Sequence, residues 1–291
     1  MRVLITGSNG QLGSEIKELE NNDKKVDLIF KDLPELDICN FKALQAFILD
    51  NNINAVINCA AYTAVDKAEE DEQIAKKVNS EGVSNIVKAL QKVNGKLIHI
   101  STDYVFDGNN FSPYKELDPV SPIGVYGETK RAGELSVINS DIDSIVIRTS
   151  WLYSSYGNNF VKTMLRLGNE KENLGVIFDQ VGTPTYARDL AKTCLDILSD
   201  AGSTNISKKG SLYHYSNEGV ASWYDFAKEI MKLGEVHCKV YPIETKDYPT
   251  LAKRPQYSVL DKSKIKTDFK LEIPHWKDSL KDCMIKIKTN S

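Results

Sequence analysis

Residues 2–13 read RVLITGSNGQLG, a short apolar run followed by glycines at positions 7, 10 and 13. The run is typical of a buried strand, and a helix-like pattern follows the second glycine. Glycine at a strand-to-helix turn adopts positive φ readily and lets the backbone and the helix N-terminus approach a pyrophosphate. The spacing differs from Gly-x-Gly-x-x-Gly, so the triplet alone fits a plain tight turn equally well. Its place at the first strand-to-helix junction favours a dinucleotide site built on Gly7, Gly10 and Gly13.

The rest of the first half alternates between strand-like and helix-like patterns. The strand-like runs cover residues 2–6, 25–30, 55–58, 96–101 and 144–149, and the helix-like stretches cover 11–20, 41–51, 72–93 and 125–138. The runs are continuously apolar, as in strands that are covered on both faces. This order predicts an α/β fold with a doubly wound, parallel, Rossmann-type sheet.

The pattern changes after residue 149. Residues 158–167 and 186–198 look helical, 175–178 look like a strand, and a polar stretch follows at 199–211. Prolines and turn signals become dense beyond it. We therefore expect a Rossmann domain of residues 1–150 and 173–200, and a smaller C-terminal substrate-binding lobe of residues 151–172 and 201–291.

Composition excludes several classes of protein. The formal net charge is −3 and the pI is ≈ 5.9, without the basic stripe of a nucleic-acid binder. No apolar run is long enough to span a membrane and no leader-like segment is apparent, so we expect a cytoplasmic protein without a membrane or nucleic-acid partner. The five cysteines and four histidines are scattered, which predicts neither a disulfide framework nor a metal site.

Two acids follow the second predicted strand. Asp32 lies about twenty residues beyond the glycines, where an acid commonly binds the adenosine ribose, although a solvated turn acid is the alternative. Asp32 favours NADH, whereas Lys31 beside it could equally receive a 2′-phosphate, so both NADH and NADPH stay open. Asp37 could reach the adenine edge or help Asn40 to cap a helix.

Two further strand ends carry small or hydroxyl side chains. Residues 58–61 read NCAA, and their small side chains would let a cofactor lie against the strand end at Ala61. The alternative is that these small residues only pack closely against their neighbours. Thr102 ends the fourth strand, where a hydroxyl could orient a reacting carbonyl. A strand-end hydroxyl bonded to the backbone is the alternative for Thr102.

Tyr126 and Lys130 are spaced i, i+4 on a predicted helix, which brings their side chains together. A phenol with a pKa near 10 exchanges protons poorly at neutral pH unless a cation stabilises its phenolate, and Lys130 supplies one. Tyr224 and Lys228 have the same spacing, but they lie in the C-terminal lobe, where a surface or packing role is expected. Tyr126 follows the fourth strand and therefore lies near the expected nicotinamide end.

These features, in this order, resemble the extended short-chain dehydrogenases/reductases over the whole chain. More specific strings resemble the dTDP-4-dehydrorhamnose reductases: CAAYTAVDKAE at 59–69, STDYVF at 101–106, SPIGVYGETK at 121–130, RTSW at 148–151, GNNF at 157–160 and RP at 254–255.

The resemblance implies NAD(P)H-dependent reduction of the 4-keto group of dTDP-4-dehydro-β-L-rhamnose, the last step of dTDP-L-rhamnose synthesis. It assigns the pyrophosphate to Gly10, Gln11 and Leu12, the adenosine half to Asp32, Asp37 and Ile38, the path toward the nicotinamide to Ala61, Tyr62 and Thr63, and the sugar to Thr102, Asp103 and Trp151. Trp151 could instead be a core aromatic residue. Arg254 resembles a contact to the nucleotide diphosphate, or is a surface arginine before a turn proline.

In the mechanism that these assignments imply, hydride moves to C4 of the sugar while Tyr126 donates its proton to the developing alkoxide. Thr102 orients the same oxygen, and Lys130 holds the cofactor ribose and stabilises the tyrosinate. No metal is needed for this step.

Two other interpretations stay open, namely a reductase or epimerase of another nucleotide-4-ketosugar, and a non-catalytic subunit like the relative that partners methionine adenosyltransferase. The family also contains dimers, so a homodimer is possible.

Overall fold

The computed structural model describes residues 1–20, 26–199 and 209–290 of the 291-residue chain. The strands are β1 (Arg2–Thr6), β2 (Asp27–Lys31), β3 (Ala55–Asn58), β4 (Lys96–Thr102), β5 (Ser144–Thr149), β6 (Leu152–Tyr153), β7 (Asn173–Ile177), β8 (Val181–Gly182), β9 (Thr185–Tyr186), β10 (Ser211–His214), β11 (Ala221–Ser222) and β12 (Lys239–Ile243). Lys25, the first residue of the second predicted strand, lies outside the described residues, as does most of the polar stretch 199–211.

The α-helices are α1 (Gln11–Glu18), α2 (Phe41–Asp50), α3 (Val65–Ala68), α4 (Glu72–Lys76), α5 (Val83–Gln91), α6 (Val125–Ile138), α7 (Phe160–Glu170), α8 (Ala187–Ser199), α9 (Trp223–Gly234), α10 (Ser263–Phe269) and α11 (Trp276–Asn290). The predicted helix 72–93 is interrupted by a π-helical segment, Lys77–Gly82. A Cβ at Gly82 would lie 2.8 Å from Cδ1 of Ile38, so the segment packs tightly against the turn before α2.

Six parallel strands form the central sheet in the order β10-β5-β4-β3-β1-β2. Val3 and Ile5 of β1 pack into one apolar cluster with α1 and α8. Leu4, which points the other way, packs into a second cluster with α2 and α5. Helices therefore cover both faces, and the predicted doubly wound sheet is confirmed.

The strand pairing departs from the predicted domain boundaries at two places. β7 pairs with β12 rather than with the central sheet, whereas β10 pairs with β5 and joins it. Residues 173–177 therefore belong with the C-terminal lobe and residues 211–214 with the central sheet. The sequence pattern gave the wrong domain for both strands. β7 has the apolar composition of a central strand, whereas β10 has polar residues, Ser211 and His214, at its two ends.

The C-terminal lobe has its own apolar core, where α7, α9 and α11 pack around Phe226 and Trp276. A polar contact joins this lobe to α1. Glu15 is fully buried and accepts hydrogen bonds from Ser154 at 2.6 Å and from Lys286 of α11 at 2.8 Å. A buried carboxylate needs such partners, so these bonds fix α11 against the helix that begins at the glycine loop.

Candidate active site

A cleft of ≈ 580 Å³ lies at the carboxyl ends of the central strands. Ten of the predicted site residues line it: Gly10, Gln11, Leu12, Ala61, Thr63, Thr102, Asp103, Tyr126, Lys130 and Trp151. The remaining predicted residues lie outside its lining and are Gly7, Gly13, Asp32, Asp37, Ile38, Tyr62 and Arg254. Ligand sites of wound α/β sheets lie at this edge, so the fold places these residues where such a site is expected.

The three glycines of the first loop have different roles. Gly7 has φ +63°, and a Cβ there would lie 2.6 Å from the backbone nitrogen of Ala60. A Cβ at Gly13 would lie 2.5 Å from Cα of Ser8, so this glycine allows α1 to pack on the loop. Gly10 is the N-cap of α1 and makes no side-chain cap bond. First-turn N–H groups of α1 are therefore left for an anionic ligand beside the cleft.

Asp32 supports the glycine loop. Its carboxylate accepts the backbone N–H of Asn9 at 2.9 Å and that of Leu33 at 2.8 Å. Lys31 forms an ion pair with Glu35. The predicted contact of Asp32 with the ribose stays a prediction, and the half-exposed carboxylate lies at the carboxyl end of β2, where that contact requires it.

Asp37 and Ile38 have distinct surroundings. Asp37 accepts the N–H of Cys39 at 2.8 Å, whereas Asn40 caps α2 by accepting the N–H of Ala43 at 3.2 Å. Asn40 therefore serves as the side-chain cap, while Asp37 shapes the turn before it. The side chain of Ile38 is buried in the apolar core, so only the backbone of this residue is placed to contact a bound cofactor.

The backbone of Tyr62 is held by a residue that the sequence analysis missed. Asn79, buried in the π-helical segment, accepts the N–H of Tyr62 at 2.9 Å and donates to its carbonyl at 3.1 Å. The same amide donates to Thr129 of α6 at 3.2 Å. Asn79 thus ties the chain at 61–63 to the helix that carries Tyr126, and π-helical segments are frequent at such functional positions.

Thr102, Tyr126 and Lys130 line the same cleft. Burial raises the pKa of Tyr126 to about 12, although a hydrogen bond with the Thr102 side chain opposes this rise. The phenol is therefore protonated at neutral pH, but the raised pKa makes it a weaker acid than a free phenol, so proton transfer requires a charge that stabilises the phenolate. Lys130 is buried and donates to the carbonyl of Ile100 at 2.6 Å. Burial lowers the pKa of Lys130 to about 8, and the charge of Glu134 opposes the decrease.

Asp103 lies directly beside this group. Its side chain is 2% exposed and accepts the hydroxyl of Thr102 at 3.0 Å. Burial raises the pKa of Asp103 to about 7, against the opposing effect of hydrogen bonds from the hydroxyls of Thr102 and Ser258. Asp103 therefore gains or loses a proton within the neutral range, next to the proposed proton donor.

Trp151 adopts a left-handed backbone conformation with φ +49°. Its indole stacks on that of Trp223 with 3.6 Å between ring centroids and 7° between planes. The Trp151 indole also packs against Gly182, where a Cβ would lie 2.7 Å from Cε2 of Trp151. Such a conformation is strained for a bulky residue and persists where surroundings enforce it, commonly at ligand sites. Trp151 both packs on the lobe core and lines the cleft.

The N-terminus of α6, one residue before Tyr126, is capped by a distant side chain. Gly124 is the N-cap and makes no side-chain cap bond, but Glu69 accepts the N–H of Val125 at 3.0 Å. A Cβ at Gly124 would lie 2.7 Å from Oε1 of Glu69, so glycine is needed for this approach. A carboxylate at this position also interacts favourably with the helix dipole.

Sequence reasoning missed Asn79, Trp223 and Glu69 for different reasons. Asn79 and Trp223 lie within helix-like patterns that carry no motif signal of their own. Glu69 falls inside the string 59–69 that supports the family resemblance, but nothing in that string indicates which helix it caps.

The described residues contain neither a metal-binding cluster nor a membrane-spanning helix. Within 1–20, 26–199 and 209–290, no group of three or more His, Cys, Asp or Glu side chains is arranged to hold a metal ion. No helix in those same ranges is both long and apolar enough to cross a membrane.

The cleft fits a nicotinamide dinucleotide. The uncapped start of α1 suits a pyrophosphate, and Lys130 lines the same cleft. The hydroxyl oxygen of Thr149, also in the lining, is buried without a hydrogen-bond partner among the described residues. Buried polar groups are normally satisfied, so this one indicates a bound partner.

Comparison with known proteins agrees with this geometry. The family model described as "RmlD substrate binding domain" matches residues 1–289. The dTDP-4-dehydrorhamnose reductase of Aggregatibacter actinomycetemcomitans is 42% identical over 287 residues, which cover 97% of each chain.

Two solved structures are similar throughout. The dTDP-4-dehydrorhamnose reductase of Clostridium acetobutylicum has a TM-score of 0.92 and 42% identity, covering 99% of this chain and 100% of that one. The enzyme from Bacillus anthracis, solved in complex with NADP, has a TM-score of 0.92 and 39% identity, covering 98% and 99%. The chain described here belongs to the dTDP-4-dehydrorhamnose reductase family.

Proposed function

We propose that this chain reduces the 4-keto group of dTDP-4-dehydro-β-L-rhamnose to give dTDP-L-rhamnose, the last step of dTDP-L-rhamnose synthesis, with NADPH or NADH as the reductant. The observation that carries the proposal is that Thr102, Tyr126 and Lys130 line the same cleft as the uncapped start of α1. One group of residues is suited to proton transfer and the other to a dinucleotide. Family membership and relatives named for this activity support the substrate.

The cofactor, when bound, supplies the hydride that reduces C4. We propose that Gly7, Gly10, Gln11, Leu12 and Gly13 form its pyrophosphate cradle, that Asp32, Asp37 and Ile38 hold its adenosine half, and that Ala61, Tyr62 and Thr63 lie along the path to its nicotinamide. The bonds from Asn79 to Tyr62 support the last assignment, because they fix that part of the chain.

Tyr126 donates the proton. The phenol is protonated at neutral pH, so a proton is available for the oxygen on C4 as that oxygen becomes an alkoxide. Thr102 orients the same oxygen through its hydroxyl, and Lys130 holds the cofactor ribose and stabilises the tyrosinate after transfer. The product is the C4 alcohol, with one hydride added at carbon and one proton at oxygen.

Trp151 and Asp103 are proposed to hold the sugar, and Arg254 the diphosphate. The C-terminal lobe thus contributes Trp151 and Arg254 to the sugar-nucleotide site, whereas the central domain contributes Asp103 and the cofactor site. A homodimer and a cytoplasmic location stay predictions from the sequence.

The test is a reduction assay with dTDP-4-dehydro-β-L-rhamnose, following oxidation of NADPH and NADH separately and identifying the product by NMR. The proposal expects dTDP-L-rhamnose in amounts equal to the reduced coenzyme consumed. A C4 epimer of that product, or turnover with a different nucleotide-4-ketosugar alone, would contradict it.

A further inference from the structure

The short helix α3 joins the active-site cleft to a second cavity. Val65, its first residue, lines the cleft. Asp66, the next residue, bonds to Arg254 and Ala252, which line a cavity of ≈ 440 Å³. Val65 and Asp66 both fall within the string 59–69, and the roles proposed above leave Asp66 unused.

Asp66 holds the Arg254 guanidinium with two oxygens. Nη2 donates to Oδ2 at 2.6 Å and Nη1 donates to Oδ1 at 3.1 Å. The backbone N–H of Ala252 also donates to Oδ1 at 3.1 Å. Paired bonds between arginine and a carboxylate fix the plane of the guanidinium as well as its position. The contact joins residues 188 positions apart and links the central domain to the C-terminal lobe.

The chain just after Arg254 is held from another direction. Gly108 has φ +81°, and a Cβ there would lie 2.6 Å from Cα of Pro255. Its carbonyl accepts the N–H of Tyr257 at 3.2 Å. With the backbone supported by Gly108 and the side chain by Asp66, Arg254 is fixed at both ends.

We propose that Asp66 is a positioning residue for substrate binding, which holds Arg254 in place for the diphosphate of the sugar nucleotide. The proposal rests on the proposed function, since it takes Arg254 as the diphosphate contact. Among residues 1–20, 26–199 and 209–290, Nε of Arg254 has no hydrogen-bond partner, so this donor is left for a phosphate oxygen. Ordering a long side chain before the ligand arrives reduces the entropy lost on binding.

Asp66 could also act in the opposite direction and weaken substrate binding through its negative charge. A carboxylate beside the arginine reduces the attraction for an anion, so a purely competing Asp66 would weaken substrate binding. Its side chain is 41% exposed, so solvent screens its charge, whereas the 22% exposed guanidinium depends on its partners for orientation. Positioning therefore predominates, and removing Asp66 should weaken binding rather than strengthen it.

The test compares Asp66→Ala and Asp66→Asn with the wild type, using dTDP as the direct binding probe in calorimetry and the sugar nucleotide in kinetics. Asp66→Ala should raise the Kd for dTDP and the KM for the sugar nucleotide about tenfold, as expected for loss of a charge-assisted hydrogen bond. Asp66→Asn, which keeps one acceptor, should have a smaller effect. The kcat and the Kd for NADPH should stay within about twofold. Asp27→Asn, which removes an exposed aspartate paired with Arg2, is the matched control.

A double-mutant cycle separates positioning from general stabilisation. If Asp66 acts through Arg254, Asp66→Ala should have almost no further effect on dTDP binding once Arg254 is replaced by alanine. Unchanged or tighter binding of dTDP to Asp66→Ala would overturn the inference, as would fully additive effects in the cycle. Failure of the proposed function would look different, because the wild type would then bind dTDP without reducing the 4-ketosugar.

Discussion

Asp103 provides a sharp test of the active-site electrostatics, because its carboxyl group is buried beside Thr102 and Tyr126. Replacing it by asparagine keeps the size of the side chain and an acceptor for the Thr102 hydroxyl. The asparagine side chain cannot ionise. The difference between the two proteins therefore gives the free-energy cost of a negative charge at position 103.

The magnitude follows from the raised pKa. Burial raises the pKa of Asp103 from 3.8 to about 7. Between these values the folded protein binds more protons than the unfolded chain, so the free energy of unfolding falls as pH rises through this window. The full loss is on the order of 4 kcal/mol for one carboxyl group. Asp103→Asn lacks this loss, so its stability relative to the wild type should increase from pH 4 to pH 7 and level off above.

Urea denaturation at a series of pH values measures this difference directly. We expect the curves of unfolding free energy against pH for the two proteins to diverge between about pH 4 and pH 7. Over this range the stability of Asp103→Asn should increase relative to that of the wild type. Two parallel curves would refute it, because Asp103 would then ionise as easily in the folded protein as in the unfolded chain.

Three further substitutions test the site. Tyr126→Phe should lower kcat by about 10²–10⁴-fold while NADPH binding, measured by fluorescence titration, is retained; near-normal turnover would remove Tyr126 as the proton donor. Gly182→Ala places a methyl group 2.7 Å from the Trp151 ring, so the KM for the sugar nucleotide should rise; an unchanged KM would separate Trp151 from substrate binding. Glu69→Ala should lower the free energy of unfolding by about 1 kcal/mol through the lost cap and reduce kcat, with Glu69→Gln closer to the wild type in both; equal loss in the two variants would contradict the capping role.

The sequence was sufficient for the parts of the site that depend on local chemistry. The glycine loop, Thr102 at a strand end, and the i, i+4 pair of Tyr126 and Lys130 each follow from short-range geometry. Parallel strands then bring their carboxyl ends to one edge, so these separate motifs were expected to meet there. The structure places Thr102, Tyr126 and Lys130 in one cleft accordingly.

Contacts across long stretches of chain were not predictable in this way. The cap from Glu69 to α6 and the stack of Trp223 on Trp151 join elements whose relative position is set by packing of the whole molecule. The placement of two segments differs from the prediction for the same reason, because β7 and β10 find partners that their own composition does not specify. A single sequence carries the local preferences but not these pairings.

The proposed reaction is tested most directly by the fate of the transferred hydride. The chain is incubated with dTDP-4-dehydro-β-L-rhamnose and NADPH in which both hydrogens on C4 of the nicotinamide are replaced by deuterium, and the product is examined by NMR. We expect the wild type to form dTDP-L-rhamnose with deuterium on C4 of the sugar, and Tyr126→Phe to form much less of it. A product without deuterium at C4 would contradict it.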